Sequence, residues 1–511
     1  MSQRSARLDA SKIHAHASPS ENPDDFAASV ALVLATGGDK RIWPNAATGR
    51  NKYGTMTRPA PHEISFSSTT ASNISGPGFA AATYQLHRLF DAASQAAPAD
   101  EWFGDIRQSI AHCLGLPGTE VVLAASGTDA ELLTLGLMAA LTKRPITNIF
   151  IAPDETGNGI PLAAGGHHFS DETALGIEVK AGELIDGLSP SGVRVRTIAI
   201  RSETGERRDQ YEIDADLVAA VSEELCADRD ILVHVLDISK TGLRGVTRDA
   251  ARYVAGIEPG RVRVVIDACQ LRSPTSLLRD YLADGFFVAV TGSKFAAGPP
   301  FAGALLIPAE VAQEIAAGGN LPAGLADYTA AMDWPDRLRT ETGLAFKSEM
   351  NIGLGLRWVA ALAHIAPYIS VSESRQTVIK QRIASLVQSR AEDIPGVTLH
   401  PDDNGDNLVS SGIIPLTILD ANGEFASLSE AQHVQVGLRN SSEGPVCHIG
   451  QPVRVESRTV LRFSASAYDI VRVSAGMDEG RSLDQALAPL IANLDLFFAK
   501  WSKLDRARKA L

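Results

Sequence analysis

The stretch VAVTGSKFAAGPP, residues 288–300, decides how the rest of the chain is read. Residues 286–290 are apolar and make a strand, which breaks into Thr291, Gly292, Ser293 and Lys294 before small residues and two prolines. A lysine at a strand end can form a Schiff base with an aldehyde cofactor. The hydroxyls of Thr291 and Ser293 beside it can hydrogen-bond that cofactor's phosphate. A single lysine is more often just an exposed loop residue, so the reading turns on its company.

Outward from this stretch, residues 120–124, 148–151, 195–200, 231–236, 262–266 and 302–307 are further strand-like runs, mostly apolar. Runs without alternation are what strands buried on both faces look like. Helical patterns at 130–142 and 214–226 fall between them, which predicts an α/β fold with a mostly parallel, doubly wound sheet. Ligands bind such sheets at the carboxyl ends of the strands. Polar residues follow five of the runs: Ser126, Gly127, Thr128 and Asp129; Asp154, Glu155 and Thr156; Asp237, Ser239 and Lys240; Asp267, Cys269 and Gln270; and the lysine stretch. Thr128 and Glu131 have capping-box spacing, and the helix start they mark suits a phosphate. Asp267 directly follows Val264, Val265 and Ile266, so it is expected to be partly buried, which is costly without a partner. A protonated pyridine nitrogen is a suitable one.

The chain has 511 residues, 45% of them hydrophobic, which predicts more than one domain. Residues 1–60 read as an N-terminal arm: a mobile polar tail to about 24, a helix at 24–35 and an extended segment at 40–60. Residues 61–345 read as the large α/β domain. It opens with a short strand and a crowd of hydroxyls at 63–75 and helices at 78–93 and 102–115. Residues 346–511 read as a smaller α+β domain. Its expected elements are helices at 353–366 and 372–390 separated by Pro367, strands at 397–400, 413–418 and 459–464, and a helical tail from 482. The net charge is -13 with no long basic run, which argues against nucleic acid as a partner. Residues 26–36 are too short an apolar run to span a bilayer, so no membrane partner is expected. Four cysteines without metal spacing predict no metal site and a reducing, cytoplasmic setting. ATGGDK at 35–40 is glycine-rich but matches neither GxGxxG nor GxxxxGK.

IDACQ, with the lysine of TGSK 27 residues after Asp267, resembles the class V aminotransferase family, which includes the cysteine desulfurases. SGTDAE at 126–131 is similar to the family's SGTTE, and DACQ to its DxxQ. TGSKFAAGPPFAG resembles its lysine loop, EMNIGLGLRW its segment opening the small domain, and LRFSASAYD its R-x-S motif. The resemblance covers roughly residues 60–475. It implies a fold-type-I transferase that uses pyridoxal 5'-phosphate (PLP), with Lys294 as the Schiff-base lysine and Asp267 on the pyridine nitrogen. It places Gln270 and Ser239 near the ring hydroxyl, and Ser126, Gly127, Thr128, Thr291 and Ser293 around the phosphate. Arg462 would hold a substrate carboxylate, and the site would lie at the seam of a homodimer.

The sequence departs from the family where a ring usually stacks on the cofactor. There it reads PDETGNG, so Thr156 or Glu155 stands in that place, with His167 and His168 some ten residues on. Cys447 stands 15 residues before Arg462, a spacing similar to that of one group of desulfurases. It is therefore a candidate nucleophile, with a small packing residue as the other reading. The resemblance implies an enzyme acting on a small-molecule α-amino acid through an external aldimine and a Cα carbanion, aminotransferase-like. The alternatives are a lyase or replacement enzyme working on a C–S bond or at the β or γ carbon, including desulfuration, and a non-catalytic PLP-fold binding protein.

Overall fold

The computed structural model describes residues 23–93, 99–157, 159–189, 192–400, 411–455 and 458–509, so the expected mobile tail lies almost wholly outside the described residues. The strands are β1 (Ile64–Phe66), β2 (Glu120–Ala124), β3 (Ile146–Ile151), β4 (Val193–Ile198), β5 (Asp230–Leu236), β6 (Val262–Ala268), β7 (Phe287–Thr291), β8 (Gly303–Ile307), β9 (Val397–Leu399), β10 (Ile414–Ile418), β11 (Cys447–Val455) and β12 (Arg458–Phe463).

Seven of them form one sheet in the order β2-β8-β7-β6-β5-β3-β4. The inner run β7-β6-β5-β3-β4 is parallel throughout, and β8 is antiparallel to both of its neighbours. The apolar runs are explained by helix layers on both faces. Val264, Ile266, Val233 and Val288 point into one core, and Val265, Leu232, Phe287 and Leu305 into the other, as a period of two requires. Each such side chain contributes roughly 1.5–3 kcal/mol by leaving water. Helices Gly127–Leu141 and Ala309–Gly318 cover the second face, and Gln210–Cys226, Arg248–Ile257 and Thr275–Ala283 cover the first.

The remaining strands form the sheet β1-β11-β12-β10-β9. Helices Glu373–Glu392, Leu428–Asn440, Ala467–Asp478 and Leu483–Lys509 pack on it around a separate core. The strand expected near residue 63 exists, but it runs parallel to β11 and so belongs to this smaller sheet.

Two local expectations are corrected. Helix Gly127–Leu141 is capped by Ser126, whose Oγ accepts from Asp129 N, so the Thr128–Glu131 capping box does not form; Glu131 points into the core. Nor does Pro367 mark a break between helices. Helix Ile352–Ser370 runs through it and ends three residues later. The missing proline N–H removes only the helix bond to Ala363 O, one turn before the helix ends, and Ser370 Oγ donates to Pro367 O at 2.7 Å in the last turn. This helix is long and apolar enough to cross a membrane, yet here it packs against helices Gly76–Ala93 and Ala99–Cys113. Arg357 of this helix donates to the carbonyls of Leu34, Thr36 and Gly37, which fastens the N-terminal helix Pro23–Leu34 to it.

Candidate active site

Strand β7 delivers Thr291 to the sheet edge, and Lys294 follows on a loop held from three directions. Gly292 lies so close to helix Ile352–Ser370 that a Cβ there would stand 2.4 Å from Ala361 Cβ. Thr291 Oγ1 donates to Cys269 O at 2.9 Å, tying the β7 end to the β6 end. Ser72 clamps the loop from the segment after β1. Its N–H reaches Ser293 O at 3.3 Å and its hydroxyl donates to Lys294 O at 2.8 Å. Phe295 inserts its ring into the small-domain core, and its carbonyl accepts from Ala467 N at 2.8 Å. Ala297 and Phe301 take left-handed φ of 58° and 71°, a strained backbone of the kind that clusters at functional sites. The Lys294 amine itself has no hydrogen bond or ion pair among the described residues.

Asp267 lies inside β6 as its penultimate residue, on the same face as Val265. Its carboxylate accepts from Cys269 N at 2.9 Å, and its Oδ2 is 3.9 Å from His234 Nε2. Behind it runs a buried polar chain that sequence reasoning missed. Glu131 Oε2 lies 3.5 Å from the same His234 nitrogen, and Asn148 Nδ2 donates to Glu131 Oε1 at 2.8 Å. Strand pairing explains the alignment: His234 and Asn148 occupy the face that Asp267 shares, and Glu131 descends from the helix covering it. His234 Nδ1, Glu131 Oε2 and Asn148 Oδ1 have no hydrogen-bond partner among the described residues. The available signal was a polar residue inside a strand otherwise buried on both faces.

Gly127 begins the helix after β2 and faces the same point; a Cβ there would meet Cys269 Sγ at 2.6 Å. Thr128 and Ser293 are buried residues whose hydroxyls make no hydrogen bond among the described residues. Those of Ser126, Thr291 and Ser239 are already engaged. Ser126 caps its helix, and Ser239 accepts from Thr241 N and Leu243 N, both at 3.1 Å.

Arg462 comes from β12 in the small domain and is buried. It donates from Nε to Gln451 O and from NH2 to Thr70 Oγ1, both at 2.9 Å, and it meets no carboxylate in ion-pair range among the described residues. Burial pulls its guanidinium down to about 10. Thr70 belongs to the hydroxyl-rich segment near residue 70, whose role the sequence did not reveal. Thr69 O accepts from Gln270 Nε2 at 3.2 Å, and Ser68 Oγ from Arg272 NH2 at 2.9 Å. Lys240 is a second, half-buried amine here. Burial, followed by the charges of Arg462 and Lys294, lowers it to about 8.

Glu155 and Thr156, expected where a ring would stack, lie on the turn after β3. Glu155 takes Arg201 Nε at 2.6 Å and Thr241 Oγ1 at 2.6 Å, so it is a fixed counter-charge. Burial pushes its carboxyl up, but Arg201 and the nearby hydroxyls outweigh burial and hold it below the usual range. Thr156 is buried and donates to Pro153 O at 3.0 Å. His168 bonds the Tyr328 hydroxyl through Nδ1 at 2.7 Å, and the Tyr328 ring also packs on Phe169. Cys447 opens β11 with its side chain in the small-domain core beside Lys500, and burial pushes its thiol up to about 11.

No family model matches the sequence. No curated protein matches it either. Solved structures do. The cysteine desulfurase CsdA from Escherichia coli superposes with a TM-score of 0.52 at 14% identity, over 88% of this chain and 96% of its own. A NifS-like protein gives 0.52 at 12% identity, over 86% and 98%. Oryza sativa TDC, solved with PLP and tryptamine, gives 0.51 at 15%, over 94% and 95%. At such identities the likeness is one of fold, and the fold is type I of the PLP-dependent enzymes.

Proposed function

We propose that the chain is a PLP-dependent enzyme acting on an α-amino acid, with transamination as its reaction. The observation that carries this is one constellation at the sheet edge: among the described residues, Lys294 has no hydrogen-bond or ion-pair partner, Asp267 has no ammonium or guanidinium in ion-pair range, and the buried Arg462 meets no carboxylate. Buried charges left so are expensive. A pyridinium for the aspartate, an aldehyde carbon for the lysine and a substrate carboxylate for the arginine would complete them. The cradle also fits the cofactor in shape, since Gly127 leaves room that a side chain would fill, and Thr128 at the helix start and Ser293 on the lysine loop carry hydroxyls with no hydrogen bond among the described residues.

Lys294 would hold the cofactor's aldehyde carbon, with Asp267 at the pyridine nitrogen and Thr128, Ser293 and the helix N–H groups at the phosphate. When bound, PLP supplies an electron sink for the pair left at the substrate's α-carbon. Arg462 orients the substrate carboxylate with its planar fork. The Lys294 amine, once released, accepts the α-proton at Nζ and can return it. Lys240 adds positive charge on the Arg462 side. Desulfuration through Cys447 is disfavoured, since a persulfide carrier must be accessible and readily deprotonated. The family resemblance also supports a homodimer, and the scattered cysteines a cytoplasmic setting.

A panel of α-deuterated amino acids tests the reading. The protein washes out deuterium from at least one of them and converts it to the keto acid, with the cofactor recovered as its amine. Arg462→Ala loses roughly 30-fold or more on that substrate, the equivalent of about 2–5 kcal/mol for a desolvated charge pair, while still retaining cofactor. Unchanged turnover in Arg462→Ala would place the carboxylate clamp elsewhere.

A further inference from the structure

Behind the lysine loop, at the joint between the two domains, a second group of cations has no counter-charge in ion-pair range among the described residues. Arg272 follows Gln270 on the turn after β6 and is 2% exposed; Lys380 comes from helix Glu373–Glu392 and is 9% exposed. Both line one cavity of about 10 Å³, whose other walls include Phe295, Gly412, Ile414 and Ala465. Among the described residues Arg272 hydrogen-bonds to neutral atoms: Ser411 O at 3.0 Å, Ser68 Oγ at 2.9 Å and Gln270 Oε1 at 3.4 Å. Lys380 makes no hydrogen bond and no ion pair among the described residues. The acidic group whose charge reaches it is Glu373, two turns earlier on the same helix and exposed. Both cations lie near the ring of Phe295, with Arg272 Cζ 4.7 Å and Lys380 Nζ 5.7 Å from its centroid; Lys380 Nζ is also 6.0 Å from that of Tyr368.

Aromatic rings attract cations but cannot replace a counter-ion. Two like charges against an apolar wall, each withdrawn from water, are unfavourable unless an anion joins them or one loses its proton. Burial shows in their acidity: with the charge of Arg462 added it draws Arg272 down to about 9, and with the charge of Arg272 added it draws Lys380 down to about 8. The space is close to what one water molecule needs. It excludes phosphate, carboxylates and any substrate.

We propose that this cavity binds one small inorganic anion of about chloride size, bridging Arg272 and Lys380 and fastening helix Glu373–Glu392 to the turn after β6. This depends on neither the cofactor nor the reaction. It is tested on the full-length holoprotein by exchanging sodium gluconate, whose anion is too large to enter, for sodium chloride at constant ionic strength. Chloride raises the wild-type Tm by a few degrees in a saturable way. In Lys380→Met, which keeps the length of the side chain without its charge, the chloride-minus-gluconate difference vanishes. A crystal grown in bromide shows an anomalous peak between the Arg272 guanidinium and Lys380 Nζ, a reading that stands even if the variant fails to fold. Equal Tm in the two salts, an undiminished chloride effect in Lys380→Met, or bromide confined to the surface would overturn the proposal.

Discussion

Asp267 is a buried carboxylate with a histidine 3.9 Å away, itself beside a glutamate. An isolated negative charge in that position is unfavourable, so the surroundings favour whatever cation it receives from the open side. Asp267→Asn removes the charge and keeps the shape. We expect it to fold and to slow α-deuterium exchange by at least about 100-fold, the lower range for losing a proton-positioning group; an unchanged exchange rate would remove Asp267 from the role. This residue was legible because an aspartate after Val264, Val265 and Ile266 violates the pattern around it. Glu131 was misread, because three residues after a threonine at a helix start it has capping-box spacing. Only tertiary packing shows that Ser126 takes the cap and frees Glu131 for the core.

Among the elements, helix Ile352–Ser370 joins the N-terminal arm, the lysine loop and the sheet. Gly353 allows it to touch the N-terminal helix: a Cβ there would lie 2.3 Å from Thr36 O and 2.7 Å from Val33 O, both backbone atoms that cannot step aside. Gly353→Ala should cost roughly 1–3 kcal/mol and make the chain near residue 36 cleavable in limited proteolysis; wild-type resistance there would contradict the packing argument. The same helix carries His364, buried with Nε2 2.6 Å from Ser75 Oγ and pulled down by burial to about 4. Its unfolded form binds a proton near pH 6.5 that the folded form refuses. The stability tied to it is therefore full above pH 6.5 and lost as pH falls toward 4, by up to about 3 kcal/mol at about 1.4 kcal/mol per pH unit. His364→Gln should show a flatter Tm between pH 6.5 and 4 than the wild type, and parallel curves would exclude the histidine as the cause. The segment EMNIGLGLRW marked this helix in the sequence, but its partners were invisible, because contacts such as Arg357 with Leu34 O span more than 300 residues.

Across the whole molecule, two cores meet at Phe295, whose ring belongs to the small domain although the residue before it is Lys294. The alternation of apolar strands and helices made the large sheet readable. The assignment of β1 to the smaller sheet was not, because three residues carry no record of which edge they pair with. Nor were Arg272 and Lys380, which are ordinary surface types until the domains close over them. This architecture places two amines at the site, Lys294 and Lys240, and the account depends on which one carries the cofactor. Lys294 has the Thr128, Ser293 and Asp267 surroundings, whereas Lys240 stands beside Arg462 and Glu155. The most direct test is borohydride reduction of the PLP-loaded protein followed by peptide mass spectrometry. The account predicts cofactor fixed on the peptide containing Lys294 and none after Lys294→Ala; cofactor fixed on Lys240, or no fixed cofactor on a protein saturated with PLP, would contradict it.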